Sequence, residues 1–122
     1  MKNEMIVHCM KKSAWDEVKD KDSWGEDDIR KYGFIHCSTV EYLWRVLPGF
    51  EEDPEDRVLV CIDEKKLLSE VKYEDNEDYP GRYYPHIYGL INNDAVIMVL
   101  DYLKDENGHY LKNPEFADVA DR

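Results

Sequence analysis

The chain has 122 residues, and its 28 acidic and 16 basic side chains give a formal net charge of −12. Hydrophobic residues make up 43% and charged residues 36%, which is typical of a globular domain and not of a disordered chain. This charge disfavours duplex DNA and anionic membranes, because binding to either needs basic patches. We therefore expect a single domain over residues 1–122, with no duplex DNA and no membrane among its partners.

The three cysteines, Cys9, Cys37 and Cys61, all lie in apolar runs, and no pair has the CxxC spacing of zinc or redox sites. The first ten residues are too short and too mixed in character for an export signal. An odd number of cysteines in such a chain predicts reduced thiols and a cytoplasmic location. No apolar run approaches the roughly 20 residues that a membrane span needs.

The first third of the chain predicts one strand and two short helices. Residues 5–10 form an apolar run that predicts the first strand, and a brief helix is expected from Ser13. Residues 20–28 are acidic and polar, which indicates a loop. A helical turn over residues 27–32 should end at Gly33, because glycine readily adopts the left-handed conformation of a helix end.

A strand over residues 34–37 leads into the clearest helical pattern of the chain. Ser38 and Glu41 have the spacing of a capping box, which predicts that the helix begins at Ser38. The helix should end at Pro48, since proline followed by glycine stops helical pairing. Its apolar residues follow the periodicity of one buried face: Val40, Leu43, Trp44 and Leu47.

The middle of the chain predicts a buried central strand followed by shorter elements. Residues 58–62 are uninterruptedly apolar, as expected of a strand that is buried on both faces. One helical turn is expected at residues 64–68 and another strand at residues 71–74. Residues 75–85 are rich in acidic residues, tyrosine and proline and predict a long loop, while residues 86–88 predict a short strand.

The last quarter predicts the strongest strand, over residues 95–103. A hairpin turn at Asn107-Gly108 should lead into residues 109–111, and the tail after Pro114 should be frayed or loosely docked. Strands therefore outnumber helices and lack regular helical crossovers. This pattern predicts an α+β fold and argues against a doubly wound parallel sheet.

Two short segments carry most of the functional information. Residues 33–38 (GFIHCS) and residues 85–89 (PHIYG) each place one histidine in an apolar run bounded by glycine or proline. Burying an ionisable imidazole is costly, and histidine titrates near neutral pH, so such positions are enriched in function. Together with His8 in the first strand, they predict a small histidine-lined site.

Each histidine also has a structural alternative. His8 could hold a ligand or could be a core histidine bonded to backbone. His36 could contact a ligand while the helix start at Ser38 receives its anionic group, or its segment could be a tight turn into a buried strand. His86 could be the working histidine, entered through a rigid proline, or part of a packed strand edge. The last histidine, His109, is expected at the surface.

Further residues near the second segment have both functional and structural interpretations. Arg82 could bind phosphate or form a surface ion pair with Glu77 or Asp78. Glu74 could orient a histidine or Arg82, or lie solvated at a strand end. Tyr88 could stack on an aromatic ring, donate its hydroxyl group or simply pack against the sheet. The adjacent glycine would permit a close ligand.

These segments carry a resemblance that covers nearly the whole chain, from about residue 5 to residue 114. In order, the residues are Ile6-Val7-His8, residues 33–38, Glu74, residues 85–89, Asp94-Ala95-Val96 and Gly108. They resemble the signature of the bacterial domain-of-unknown-function family 952. The resemblance implies a fold similar to that of ADP-ribosyltransferases and RNA 2′-phosphotransferases, a split two-sheet β core whose cleft holds NAD in active members.

The residues and the resemblance together predict roles for particular side chains. Catalytic roles are expected for His36 and His86. Ligand-binding roles are expected for His8, Ser38, Arg82, Tyr88 and Gly89, and the resemblance places His8 where a first-strand histidine commonly holds the NAD ribose. NAD is a possible cofactor and no metal is expected. The transferases normally place a glutamate late in the fold, and residues 85–89 contain no acidic residue, which disfavours ordinary ADP-ribosyl transfer.

Three functions remain open at this point. The first is an NAD-dependent transferase or related enzyme that acts on a nucleotide, with a protein or RNA acceptor that the sequence does not identify. The second is a non-catalytic module that binds a nucleotide or small metabolite. The third is a zinc hydrolase in which His8, His36 and His86 converge on the metal.

Overall fold

A computed structural model of the chain describes residues 4–76 and 79–122. The described strands are β1 (Met5–Lys11), β2 (Ser23–Trp24), β3 (Ile35–His36), β4 (Ser38–Thr39), β5 (Arg57–Asp63), β6 (Glu70–Asn76), β7 (Tyr79–Tyr88), β8 (Ile91–Asn92) and β9 (Val96–Asp101). The helices are α1 (Lys12–Val18), α2 (Glu26–Tyr32) and α3 (Leu43–Val46), and 3₁₀ turns flank α3 at Val40–Tyr42 and Leu47–Phe50. None of the described helices has the length and apolar character needed to cross a membrane.

The strands form three antiparallel sheets. The first has the order β4-β1-β5-β9, the second is the pair β2-β8, and the third has the order β3-β7-β6. The α+β expectation is therefore confirmed in its coarse form, as a mixed fold with mostly antiparallel sheets and few short helices.

The predicted central strand is confirmed as β5, which lies between β1 and β9. Its side chains alternate between two cores, because successive residues of a strand point to opposite faces. Val58, Val60 and Ile62 enter a first core between the first and third sheets. Leu59 and Cys61 enter a second core beneath α3.

The chain passes from the third sheet to the first within residues 35–39. The strand β3 pairs with β7, and two residues later β4 pairs with β1, with Val7 opposite Ser38. The expectation of a helix beginning at Ser38 is wrong, because this pairing holds Ser38 and Thr39 in an extended conformation. The Ser38 hydroxyl donates to the carbonyl of Thr39 and does not cap a helix. The capping box with Glu41 and the anion site at that helix start are therefore absent from the described structure.

Three of the four residues predicted to form the buried face, Val40, Leu43 and Leu47, are buried. The fourth, Trp44, is 42% exposed. The reason is that 3₁₀ turns flank the four residues of α3, so the face does not keep the α-helical period. Trp44 instead stacks under the guanidinium group of Arg45, whose carbon lies 4.2 Å from the ring centroid.

The predicted helical turn before Gly33 is confirmed as α2, and Gly33 ends it with a left-handed φ of 86°. The predicted loop at 20–28 is wrong in part, since it contains β2 and the first turn of α2. Gly25 precedes that turn with φ of 120°, and a Cβ atom there would collide with the Ile35 side chain. Asn93 anchors this region, because its side chain accepts from the Trp24 indole at 2.7 Å and donates to the carbonyl of Val18 at 2.9 Å.

The predicted loop at residues 75–85 is also wrong. The antiparallel strands β6 and β7 pair along their length, with an irregularity between Asp75 and Asn76. Tyrosine favours a pleated surface, which outweighs the local charge. The Gly81 N–H donates to the Asp75 carboxylate at 2.9 Å. Arg82 was expected to pair with Glu77 or Asp78, and both of these acidic residues lie outside the described residues.

The C-terminal segment is docked. The predicted hairpin after Asn107-Gly108 is reduced to one isolated bridge between Lys104 and Tyr110. The expectation of a frayed or loosely docked tail is wrong, because Phe116 is fully buried in the second core. Nearby, the Asn113 side chain donates to the carbonyl of Asp101 at 2.8 Å.

Truncation of the Phe116 side chain tests this docking. We expect Phe116→Ala to lower the free energy of unfolding by about 3–5 kcal/mol, because it opens a cavity in the second core. The control Leu111→Ala removes a side chain that is 49% exposed and should change the free energy by less than about 0.5 kcal/mol. Urea unfolding followed by circular dichroism measures both, and equal effects would contradict a docked tail.

Candidate functional site

His36 and His86 face each other across β3 and β7. They are directly opposite in the strand register, and their ring centroids are 5.5 Å apart. Their neighbours Ile35 and Ile87 are fully buried in the first core. Because side chains alternate along a strand, the two imidazoles lie on the opposite, outer face of the third sheet.

Glu74 holds His86 in a defined orientation. The carboxylate lies on β6 and accepts from His86 Nδ1 at 2.7 Å and from the Tyr88 hydroxyl at 2.6 Å. These two bonds lower the pKa of Glu74, and the bond from Tyr88 has the larger effect. The bond to Glu74 in turn raises the pKa of Tyr88. Since the carboxylate must accept, Nδ1 carries the proton and Nε2 of a neutral His86 is left as an acceptor. The interpretation of Glu74 as a residue that orients a histidine is confirmed.

Aromatic rings surround the two histidines. The Phe34 ring is stacked on His86 with a centroid distance of 4.0 Å and is 4.7 Å from His36. Tyr32 contacts the edge of His36 at 4.9 Å and is 48% exposed. Tyr88 lies 5.5 Å from Phe34. The outer face therefore offers planar apolar surface beside titratable nitrogen atoms.

His8 reaches this cluster through the backbone. It is buried, and its Nδ1 atom donates to the carbonyl of His36 at 2.6 Å. Its Nε2 atom lies 3.8 Å from the Asp28 carboxylate, and its ring is 5.9 Å from that of Trp24. His8 thus ties β1 to β3 and sets the position of His36, and its ring does not join the other two.

Burial affects the protonation of two of the histidines. Burial lowers the pKa of His8 more than the bond to the His36 carbonyl and the Asp28 charge raise it. The pKa of His36 is also lowered, first by burial and then by the charge of His86. Both rings therefore favour the neutral form at neutral pH, and His36 is then able to accept a proton.

The remaining predicted site residues lie apart from the histidine pair. Ser38 is buried where the chain enters β4. Gly89 packs so closely on Ser69 that a Cβ atom would collide with it, which gives this glycine a packing role. Arg82 lies four residues before His86 on β7, about 13 Å along the strand. His109 is at the surface as expected, 3.1 Å from Glu51.

A groove of about 640 Å³ runs along β1 and reaches His36. Its walls are α2 on one side and α3 with its flanking turns on the other. Its apolar lining includes Val7, Leu43, Val46, Leu47 and Phe50, and its polar lining includes His8, Lys11, Asp28, Lys31, Ser38 and Arg57. A cavity of this size is within the range of small-ligand sites.

The geometry gives no support to a three-histidine metal centre. Within residues 4–76 and 79–122, no group of three or more His, Cys, Asp or Glu side chains is placed to hold a metal ion. Nδ1 of His8 is engaged by backbone, and its Nε2 faces Asp28. The imidazoles of His36 and His86 remain as a pair.

Sequence reasoning missed Phe34, Tyr32 and Asp28. The strand pattern could have indicated Phe34, because a residue two positions before His36 on a strand shares its face. No sequence pattern could have indicated Tyr32 and Asp28, since their contacts depend on how α2 packs against β1 and β3. Residues 26–32 have the pattern of an ordinary amphipathic helix.

Comparison with known proteins identifies the family. A family model matches residues 9–99. The chain belongs to the family described as Protein of unknown function (DUF952). The predicted resemblance is thereby confirmed over these residues, which include the histidine pair and Glu74 but not His8. A comparison with curated proteins gives no match.

Solved structures share the fold. The crystal structure of protein CC0527 from Caulobacter crescentus has a TM-score of 0.68 at 20% identity and covers 93% of this chain and 98% of that chain. The solution NMR structure of CC0527 has a TM-score of 0.71 at 22% identity, covering 97% and 96%. This likeness shows that the two proteins share a fold.

The lowered pKa values predict how stability depends on pH. An unfolded histidine titrates near 6.5 and takes up a proton before the folded His8 does, so protonation favours unfolding. We expect the contribution of His8 to the free energy of unfolding to be fully present above pH 6.5. Towards pH 5 the free energy of unfolding should fall, by up to about 1.4 kcal/mol per pH unit for one histidine. His36 contributes in the same direction.

The variant His8→Asn isolates the first contribution, because an asparagine amide can still donate to the His36 carbonyl. Its stability should fall less between pH 7 and pH 5 than that of the wild type. His109→Asn is the control, since Glu51 raises the pKa of His109 and this residue cannot cause the fall. Denaturant melts at a series of pH values give the comparison, and an unchanged slope in His8→Asn would refute the assignment.

Proposed function

We propose that this chain is an enzyme that acts on a nucleotide of the NAD or ADP-ribose class, with His36 and His86 as its acid–base pair. The observation that carries the proposal is the paired imidazoles on the outer face, one of them oriented by Glu74. An ADP-ribosyltransferase-like fold is part of this proposal. It is supported by the split arrangement of the first and third sheets and by the resemblance of the histidine segments.

The two histidines suit opposite roles in proton transfer. The lowered pKa of His36 favours its neutral ring, which accepts the proton of an attacking hydroxyl group. His86 donates a proton to the departing oxygen, and the Glu74 carboxylate stabilises the positive charge that His86 carries before this step. The proton lost by the attacking group and the proton gained by the leaving group balance over the cycle.

The surroundings of the pair suit a nucleotide. Tyr32, Phe34 and Tyr88 offer faces on which a base can stack, an interaction that tolerates different bases. A phosphate or ribose hydroxyl group would then lie over His36 and His86. In this proposal His8 positions His36, while Ser38 lines the adjoining groove.

Displacement at phosphate is favoured over cleavage of the nicotinamide–ribose bond. The latter develops positive charge on the sugar and usually needs a carboxylate beside it. Glu74 supplies a carboxylate near His86, but Oε1 of Glu74 already accepts from both His86 and Tyr88. A histidine pair resembles the His and Arg chemistry of the RNA 2′-phosphotransferases more closely. A cytoplasmic location is part of the proposal, supported by three unpaired thiols.

Ligand binding is the first test. We expect NAD or ADP-ribose to raise the melting temperature and to shift the backbone amide signals of Phe34 and His36 in NMR spectra. At a hundredfold excess over Kd the gain in stability should be about 2.7 kcal/mol. His86→Ala should abolish the shifts, whereas His109→Ala, which removes an exposed histidine, should keep them. A well-folded wild type that responds to neither ligand would refute the nucleotide proposal.

Turnover is the second test. Phosphorus NMR reports cleavage at phosphate, and nicotinamide release reports cleavage at the sugar. We expect His86→Ala to lower the rate about 10²–10⁴-fold, as is usual for a general acid or base. Glu74→Gln keeps a hydrogen-bonding side chain but loses the charge that stabilises protonated His86, so it should move the alkaline limb of the pH–rate profile to lower pH. Binding without turnover by the wild type would leave the binding-module function in place of the enzyme.

A further inference from the structure

The edge of β1 that faces away from β5 is only partly covered. The strand β4 pairs with this edge at Ile6 and Val7. In residues 4–76 and 79–122, no other strand pairs with it, so the edge is open from Cys9 to Lys11. The groove beside β1 lies along this open edge.

The register shows which backbone groups point into the groove. The Lys12 N–H donates to the carbonyl of Asp56 at 2.9 Å, which makes this a hydrogen-bonded pair at the end of the β1–β5 ladder. Hydrogen-bonded and non-hydrogen-bonded pairs alternate in an antiparallel ladder. Lys11 and Cys9 therefore direct their N–H and C=O groups away from β5. The Lys11 C=O group belongs to the N-cap residue of α1 and accepts the first hydrogen bond of that helix. Among the described residues, no backbone partner is found for the other three groups, which are the N–H and C=O of Cys9 and the N–H of Lys11.

The two walls of the groove differ in chemistry. The wall next to Val7 and Cys9 is apolar and is formed by α3 and its flanking turns, with Leu47 and Phe50 in the second core. The opposite wall is formed by α2. An extended chain between them would place alternate side chains against an apolar wall and a polar wall.

The charges on the groove favour acidic side chains on the polar side. Lys11 is paired with Glu55, and Arg57 with Asp53 at 2.7 Å. Lys31 lies near the Tyr32 ring, and no ion pair involves it within the described residues. Asp28 is the one carboxylate among the described residues that line the groove. In a chain of net charge −12, this is a surface on which an anionic side chain meets a cation.

We propose that this groove binds a short extended peptide segment in which apolar and acidic residues alternate, and that the segment adds a strand beside Cys9 and Lys11. Cys9 presents an N–H and a C=O group and Lys11 presents an N–H group. The two residues are about 6.8 Å apart, which is the two-residue repeat of an extended chain. Recognition by strand addition takes its affinity from such backbone bonds and its specificity from alternate side chains. The apolar residues lie against Leu47 and Phe50, and an acidic residue lies beside Lys31.

His36 lines the groove, so a bound segment reaches one member of the histidine pair. The segment is then placed as the acceptor or substrate of the proposed enzyme. This assignment of the segment as acceptor or substrate rests on the proposed function. Peptide docking is independent of it, because docking uses β1 and the groove walls.

A designed peptide provides the probe. A capped heptapeptide of alternating valine and aspartate should bind, and in NMR hydrogen exchange it should slow the amides of Cys9 and Lys11. A peptide of the same composition with the valines and aspartates in separate blocks should bind at least about tenfold more weakly. So should the alternating valine–lysine peptide, because it places like charge beside Lys31.

Two variants at one position separate the backbone from the side chain. Lys11 has φ of −63°, which proline adopts without strain. Lys11→Pro removes the N–H group that faces the groove and leaves the β5 ladder intact, so it should weaken the alternating peptide about tenfold, the value of one net hydrogen bond. Lys11→Ala removes only the side chain and should bind the peptide within about twofold of the wild type.

Three outcomes would overturn the proposal: no binding of the alternating peptide, equal binding of the blocked peptide, or equal affinities of Lys11→Pro and Lys11→Ala. A circular dichroism spectrum of each variant confirms folding. His86→Ala should bind the peptide normally even though it is expected to lose the nucleotide. A failure of the peptide arm with retained nucleotide binding refutes docking alone, and the reverse result refutes the nucleotide proposal alone.

Discussion

The architecture depends on a five-residue segment, residues 35–39, that belongs to two sheets. Ile35 and His36 pair with β7, and Ser38 and Thr39 pair with β1. Between them the Cys37 N–H donates to the carbonyl of Pro85 at 3.1 Å, and His8 donates to the carbonyl of His36. Hydrogen bonds thus tie this segment to strands on both of its sides. The position of His36 follows from this pairing and not from its own side-chain contacts.

This arrangement explains why a buried histidine is present at position 8. Its Nδ1–H satisfies a carbonyl between the two sheets, and an unmet carbonyl there would cost about 1–3 kcal/mol. An apolar residue could fill the space but could not donate. Burial makes the charged form of the ring costly, and this cost lowers the pKa of His8. The role of His8 is therefore to hold the two sheets in register at the candidate site.

The sequence predicted the elements whose signals are local. The uninterrupted apolar run of residues 58–62 indicated the central strand, and Gly33 indicated the end of α2. The failures occurred where pairing with distant residues outweighed local chemistry. Ser38 has the composition of a helix cap, but pairing with β1 takes its backbone. The tyrosine-rich residues 79–88 read as a loop because the partner strand β6 is invisible to a local pattern.

The site was predicted in part for the same reason. Apolar runs bounded by glycine or proline placed His36 and His86 on strands, and their shared face follows once the two strands are known to pair. The contact between Glu74 and His86 was one of two interpretations, and the register of β6 decides it, because Glu74 lies opposite Tyr84, two residues from His86. The aromatic neighbours and the open edge of β1 depend on tertiary packing. No pattern within the sequence specifies where β4 ends.

The location of the histidine pair within one sheet has a consequence for how family members can diverge. His36 and His86 are cross-strand partners, so the distance between them is set by the pairing of β3 with β7. The open edge of β1 belongs to the first sheet, and residues 35–39 join that sheet to the third. Substitutions in the first core change how the two sheets pack against each other, whereas the cross-strand spacing of the pair does not depend on that packing. The position of the open edge relative to the pair can therefore change by substitution while the spacing of the two histidines stays the same.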